Sequence, residues 1–317
     1  VAPTVQKPWD ILIIGSGPAG CTAAIYAARA NLKTLVVAGF EAGGQLMITS
    51  DVENFPGFEH AVTGPNLMEQ MRKQAIRFGA EFRDEDATAV DFMHRPFKVT
   101  SSSGTHEARA VIVATGSTAK WLGLPSETRL RGKGVSACAT CDGFFFKEKE
   151  VVVVGGGDSA MEEALFLTKF ATKVTIIHRR DSFRASKIMA ARAMEHPKIR
   201  ILWNTVIEEL LGTESVTGVR IRSLATGKAE EMATQGYFSA IGHVPNTGLF
   251  RGQLRLDEGG YIVQEGQYDT YTSVEGVFVA GDVYDHRYKQ AITAAGSGCK
   301  AAIDAERWLE TQGPHGG

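Results

Sequence analysis

The hydrophobic pattern of the chain repeats itself. Asp10-Ile-Leu-Ile-Ile14 is an apolar run that stops at Gly15, as expected for a strand buried on both faces of a parallel sheet. Ala19 to Ala30 reads as a helix and Leu32 to Val37 as the next strand. About 140 residues later the order recurs, with a strand over Glu150–Val154, a turn over Gly155–Ala160, a helix over Met161–Phe170 and a strand over Val174–Ile177. A strand–turn–helix–strand unit used twice predicts an α/β chain with two Rossmann-like dinucleotide-binding domains. Two more strands run into glycine turns, Ala110–Gly116 and Gly276–Asp282, and a small-residue helix is expected over Ala291–Leu309. Val1–Pro8 reads as an irregular lead-in and Gly313–Gly317 as a frayed end.

The two turns carry the chemistry. Gly15-Ser-Gly-Pro-Ala-Gly20 fits GxGxxG between a strand and a helix, which is the context that motif requires. The first glycine allows the tight turn, the second admits a pyrophosphate, and the third lets helix and strand pack closely. The pyrophosphate then meets the unpaired N–H groups of the helix N-terminus. Gly155, Gly157 and Ala160 fit the GxGxxA variant. An NAD site places an acid at the end of the second strand, for the ribose 2′-OH. Here His178-Arg179-Arg180 stands there, with Arg184 beyond. Cationic forks suit a 2′-phosphate that a carboxylate would repel, so the second turn is expected to prefer NADPH. The plainer alternative is a solvated basic face. In the first unit Ala38-Gly39-Phe40 occupies that place and Glu41 comes late for a ribose. The Gly43-Gly44-Gln45 loop beyond it could approach a cofactor.

Composition narrows the picture. The chain has 317 residues, room for two cores, and a formal net charge of −2 that gives no case for nucleic acid or an anionic membrane. No apolar run approaches the roughly 20 residues that span a bilayer. The chain begins at Val1 and shows no apolar signal segment, which leaves an upstream transit peptide or further domain open. A soluble protein is expected.

Of the four cysteines, Cys21 and Cys299 stand alone on helices and read as buried small residues. Cys138-Ala-Thr-Cys141 is a CxxC followed by Asp142. With no second CxxC or spaced His pair, no metal site is expected. Two intervening residues allow a small disulfide ring, and Asp142 could relay a proton to the dithiol. NADPH gives up a hydride, a disulfide takes two electrons, and a flavin commonly stands between them. Two nucleotide turns and one CxxC thus make a complete relay. Phe144-Phe-Phe146 and Lys147-Glu-Lys149 follow, read either as a core segment or as a docking patch for a protein.

At these residues the chain resembles the low-molecular-weight NADPH-dependent thioredoxin reductases over nearly its whole length. The resemblance covers both glycine turns, Gly43–Gln45, Glu53–Gly57, Ala114–Gly116, Cys138–Asp142, His178–Arg180, Ile241-Gly242 and Ala280–Asp282. His178–Lys187 and Gln290–Gly298 look most like versions from photosynthetic organisms, some of which are fused to a thioredoxin domain. The resemblance implies an NADPH domain (119–247) carrying the CxxC, inserted into a discontinuous FAD domain (1–118 and 248–317). It implies FAD contacts from Gly15, Ser16, Gly17, Pro18, Ala19, Gly20, Glu41, Gly44, Gln45, Leu46, Asn54, Ala114, Thr115, Gly116, Gly281, Asp282, Lys289, Gln290 and Ala291. Lys289 stands where the family often has Arg. NADPH contacts are implied from Gly155, Gly157, Asp158, Ser159, His178, Arg179, Arg180, Arg184, Ile241 and Gly242. Cys141 would face the flavin, Cys138 would attack the partner disulfide, and Asp142 would be the acid/base. The family is homodimeric and alternates two domain orientations, with 116–119 and 242–247 as the implied hinges. The implied partner is thioredoxin, free or as a fused C-terminal domain.

Three rivals remain. A relative could serve a peroxiredoxin system, or run as a dithiol oxidase, although an oxidase has no need of the His178–Arg180 cluster. A glutathione-reductase-type enzyme would carry a wider cysteine pair in the FAD domain. A non-catalytic dinucleotide sensor would have no use for CxxC-Asp.

Overall fold

The computed structural model describes residues 7–49 and 51–313. Most of the Val1–Pro8 lead-in and all but the first residue of the Gly313–Gly317 end lie outside them. The chain divides into two compact units, one drawn from 1–118 and 244–317, the other from 119–243.

The first unit is built on a seven-stranded sheet. Four parallel strands, Glu81–Arg83, Thr34–Val37, Trp9–Ile14 and Gly104–Val113, lie in that order, and Val277–Val279 adds a fifth parallel to Gly104–Val113. Phe97–Ser101 and Ala89–Asp91 extend the edge antiparallel. Successive side chains point to opposite faces. Ile11, Ile13, Val36 and Ile112 therefore join one core with Phe278 and Trp308, while Leu12, Ile14, Leu35 and Val113 join a second with Phe97 and Phe250. Burial on both faces is why these strands read as unbroken apolar runs. The helices Pro18–Arg29 and Ala291–Thr311 cross at their small residues, and a Cβ on Gly298 would fall 2.1 Å from the Ala19 carbonyl oxygen. Only glycine admits that approach.

The second unit repeats the scheme with a different back. Its parallel sheet runs Val135–Ser136, Gly236–Ser239, Glu150–Val154, Lys173–Ile177, Ile199–Leu202. One face packs on the helix Asp158–Leu167 through Met161, Ala164 and Leu167. The other packs on an antiparallel meander, Thr205–Leu211, Gly218–Ser223 and Ala229–Ala233, through Ile207, Leu210 and Val219. The wholly buried Glu127 carboxylate accepts from Tyr237 Oη at 2.7 Å and from the Leu122 and Gly123 amides at 3.2 and 3.0 Å. It pins the segment entering the unit onto the central sheet.

The helix after the second glycine turn begins at Asp158 rather than Met161, because the turn ends at Gly157 and an acid suits the first helical turn. Phe144–Phe146 lies in a 3-10 turn over Gly143–Phe146. No helix among the described residues is long and apolar enough to cross a membrane.

Candidate functional site

The first glycine turn is a cradle shaped by what it cannot hold. Gly15 has φ +108°, and a Cβ there would lie 2.3 Å from the Ala114 oxygen. A Cβ on Gly20 would lie 2.0 Å from the Gly15 oxygen, so helix and strand are in backbone contact. A Cβ on Gly17 would meet nothing within 4 Å, which leaves the middle of the turn open to a ligand. Pro18 opens the helix, and its missing N–H is one the helix start leaves unpaired anyway. Gly44 (φ +67°) comes close, its Cβ position being 3.5 Å from Gly17 Cα. Gly281 joins from the far end of the sheet, with its Cβ position 2.9 Å from Ala19 Cβ.

The Ser16 hydroxyl is engaged inside the protein. It donates to Ala38 O at 2.8 Å and accepts from Gly43 N at 2.9 Å, tying the loop beyond the second strand to the turn. Thr115 Oγ1 donates to Asn246 O at 2.8 Å, and the Gly116 carbonyl accepts from Asn246 N at 3.0 Å. Asn54 Nδ2 donates to Gln290 Oε1 at 3.3 Å, at the start of the helix that begins with Ala291. Glu41 and Gln45 are exposed, Leu46 is half-buried, and Lys289 lies over the Tyr261 ring. Asp282 is the most informative group. Its carboxyl is half-buried, receives no hydrogen bond from any described residue, and burial with the nearby Asp285 charge pushes its pKa up to about 6. A carboxylate withdrawn from water and left without a donor fits a ligand rich in hydroxyls, as FAD is.

The second turn repeats the cradle. A Cβ on Gly155 would lie 2.4 Å from Ala240 O, just before Ile241 and Gly242, and Gly157 is open as Gly17 is. Asp158, Ser159, Arg179, Arg180 and Arg184 are exposed around it. That set fits a nucleotide carrying an additional phosphate. His178 departs from the cationic cluster expected of it. It is 6% exposed, its ring packs near Phe183 and Trp203, and Nε2 lies 3.0 Å from Ser182 O. Burial lowers its pKa, more than the Ser182 and Gly155 carbonyls raise it, so the fixed positive charges flanking the turn are Arg179, Arg180 and Arg184.

In the same unit Cys138 and Cys141 form a disulfide, with Cα atoms 5.3 Å apart. Cys138 caps the short helix Ala139–Asp142, and its Sγ accepts from Cys141 N at 3.2 Å. That amide would also stabilise a Cys138 thiolate. Ser136, which sequence reasoning passed over, accepts the Cys138 amide at 3.0 Å and donates to Cys138 O at 3.4 Å. Asp142 is half-buried, and burial raises its pKa more than the Ser136 hydroxyl lowers it. A carboxyl so placed keeps a proton to higher pH than a free one. Phe144 and Phe145 are 59% and 36% exposed beside it. Cys21 is buried and its thiol is pushed up to about 12 by burial, an inert residue beneath the first turn.

Comparison with known proteins agrees with this architecture. Residues 9–298 match the pyridine nucleotide-disulphide oxidoreductases. The chain is 58% identical to a thioredoxin reductase of Mycolicibacterium smegmatis, over 98% of this chain and 99% of that one. It is 54% identical to a bifunctional thioredoxin reductase/thioredoxin of Mycobacterium leprae, covering 95% of this chain and 66% of that one. A solved thioredoxin reductase from Giardia duodenalis superposes with a TM-score of 0.92 at 49% identity, over 96% of this chain and all of that one. The chain belongs to the pyridine nucleotide-disulphide oxidoreductase family, and within it to the thioredoxin reductases.

Proposed function

We propose that this chain reduces the disulfide of thioredoxin with electrons from NADPH, using FAD and the Cys138–Cys141 pair. The observation that carries this is a disulfide beside a half-buried Asp142 whose pKa burial raises, in the same unit as an arginine-flanked glycine turn. FAD, held by the Gly15–Gly20 turn with Asp282, supplies the two-electron link between NADPH and the disulfide. The second turn holds NADPH, its arginines taking the 2′-phosphate.

The protein's own residues carry the rest. Once the pair is reduced, the Cys138 thiolate attacks one sulfur of the thioredoxin disulfide. That S–S bond breaks, a mixed disulfide forms, and the departing sulfur takes a proton. The Cys141 thiolate then attacks Cys138 Sγ, which restores the internal disulfide and releases the second thioredoxin sulfur, again with a proton. Asp142 hands over protons in these steps. Phe144 and Phe145, followed in the chain by Lys147 and Lys149, offer an apolar and basic docking surface. A homodimer, the two-orientation cycle, a free or fused thioredoxin as partner, and a chloroplast or cytoplasmic location complete the proposal. Cys138→Ser tests it: NADPH should still bleach the flavin while thioredoxin reduction disappears. Sustained turnover with thioredoxin would show that Cys138 is not the attacking thiol.

A further inference from the structure

The residues that flank the second turn are fastened to it by bonds that none of the expected nucleotide contacts requires. Segment 178–186 carries Arg179, Arg180 and Arg184 between the strand Lys173–Ile177 and the helix Lys187–Glu195. One end is held by the sheet edge: His178 N donates to Leu202 O at 3.0 Å, and Asn204 N to Arg180 O at 3.1 Å. The other end is moored to the turn itself. Arg184 N and Ala185 N both donate to Gly156 O, at 2.7 and 3.1 Å. Ser186 N donates to Asp158 Oδ1 at 2.8 Å.

Asp158 is the odd member of the set. It stands at the N-terminus of a ten-residue helix, where phosphates are drawn to the unpaired N–H groups. A carboxylate aimed into that space would repel them. Its Oδ1 is instead bonded to the backbone of the arginine segment. We propose that Asp158 is a positioning residue for the 2′-phosphate: it makes no contact with the nucleotide, and it locks the segment bearing Arg184 against the glycine turn. This rests on the reading that the arginines receive a 2′-phosphate. A segment ordered before binding loses less entropy when the ligand arrives.

The test uses the oxidised holoenzyme, calorimetric titration with 2′,5′-ADP and with 5′-AMP, and limited trypsin digestion without nucleotide. Asp158→Ala should weaken 2′,5′-ADP about tenfold more than 5′-AMP, the loss of one charge-assisted bond. It should also speed cleavage after Arg179, Arg180 or Arg184. Asp158→Asn keeps a carbonyl that accepts from Ser186 N, and should stay within about threefold of the parent on both ligands. Equal losses on both ligands would overturn the inference, because they would place Asp158 against the shared nucleotide or in the fold at large. So would tighter binding by both variants, which would mark the carboxylate as a repelling charge. So would unaltered discrimination and cleavage in Asp158→Ala. If the parent itself binds 2′,5′-ADP no better than 5′-AMP, the arginine reading fails first and takes the inference with it.

Discussion

The two glycine turns are built alike at their first and third positions and differently at the second, fourth, fifth and sixth. Gly15 and Gly155 both lie against a backbone oxygen of the neighbouring strand's end, and Gly17 and Gly157 both face open space. That shared geometry is what any pyrophosphate needs. At the second position the first turn has Ser16, whose hydroxyl ties down the following loop. The second turn has Gly156, whose carbonyl ties down the arginine segment while the His178 ring occupies the side-chain space. At the fourth, Pro18 corresponds to Asp158; at the sixth, Gly20 corresponds to Ala160. Under the proposed function, the cradle would receive the pyrophosphate that FAD and NADPH share, and the residues between its glycines fasten the loop beside it.

The sixth position gives the sharpest way to break this comparison. A methyl on Gly20 would be forced into the Gly15 oxygen, and neither side is a flexible side chain. Gly20→Ala should cost about 3 kcal/mol and flavin occupancy with it. Ala160→Gly in the second turn should cost about 1 kcal/mol, the helical penalty for glycine. Urea unfolding, with flavin absorbance per chain, reads both. Equal small losses would show that the first helix can slide and that the two turns are interchangeable.

A second contrast concerns buried acids. Asp282 in the first unit has its pKa pushed up to about 6 from 3.8, mainly by burial. A raised folded-state pKa favours folding while the carboxyl is protonated, and that contribution is lost as pH rises from about 4 through about 6. In flavin-free protein at pH 8, Asp282→Asn should therefore stabilise by about 3 kcal/mol. The gain should shrink on acidification and vanish below about pH 4. In the same variant FAD should bind more weakly, because a hydroxyl donor loses a charged acceptor. Asp142→Asn in the second unit should stabilise with the same sign, with loss of turnover instead of flavin. Denaturation series at several pH values would check both; stabilisation that ignores pH would remove burial of charge as the cause.

The sequence made the parallel strands and glycine turns legible because both obey local rules. A strand buried on two faces must be apolar throughout, and a turn touching a backbone oxygen must be glycine. The Cys138–Cys141 disulfide was readable for a similar reason, since three residues of separation fix its reach. The Glu127–Tyr237 and Asn246–Thr115 bonds were not readable, because those partners lie close only through the fold, 110 and 131 positions apart. The place of His178 in a basic triplet suggests a cation, and only the packing of Phe183 and Trp203 around it reveals a buried wedge whose pKa is lowered by burial.

That wedge supplies the finest test of the comparison. A Cβ on Gly156 would lie 2.2 Å from His178 Cε1 and 2.4 Å from Nδ1. Gly156→Ala must therefore displace the ring, at about 2 kcal/mol. The ring is held by Trp203, Phe183 and the Ser182 carbonyl, so it cannot swing aside without disturbing the arginine segment. His178→Ala empties the space, and adding Gly156→Ala to it should then cost about 1 kcal/mol less than in the parent. Ser16 makes the same point from the other side: a side chain fits at that position of the first turn because no ring stands over it. If the Gly156 and His178 substitutions prove additive in urea unfolding, the ring is not what reserves the site for glycine. The second position would then be free in both turns, and loop fastening would have to be sought in the Asp158 bond alone.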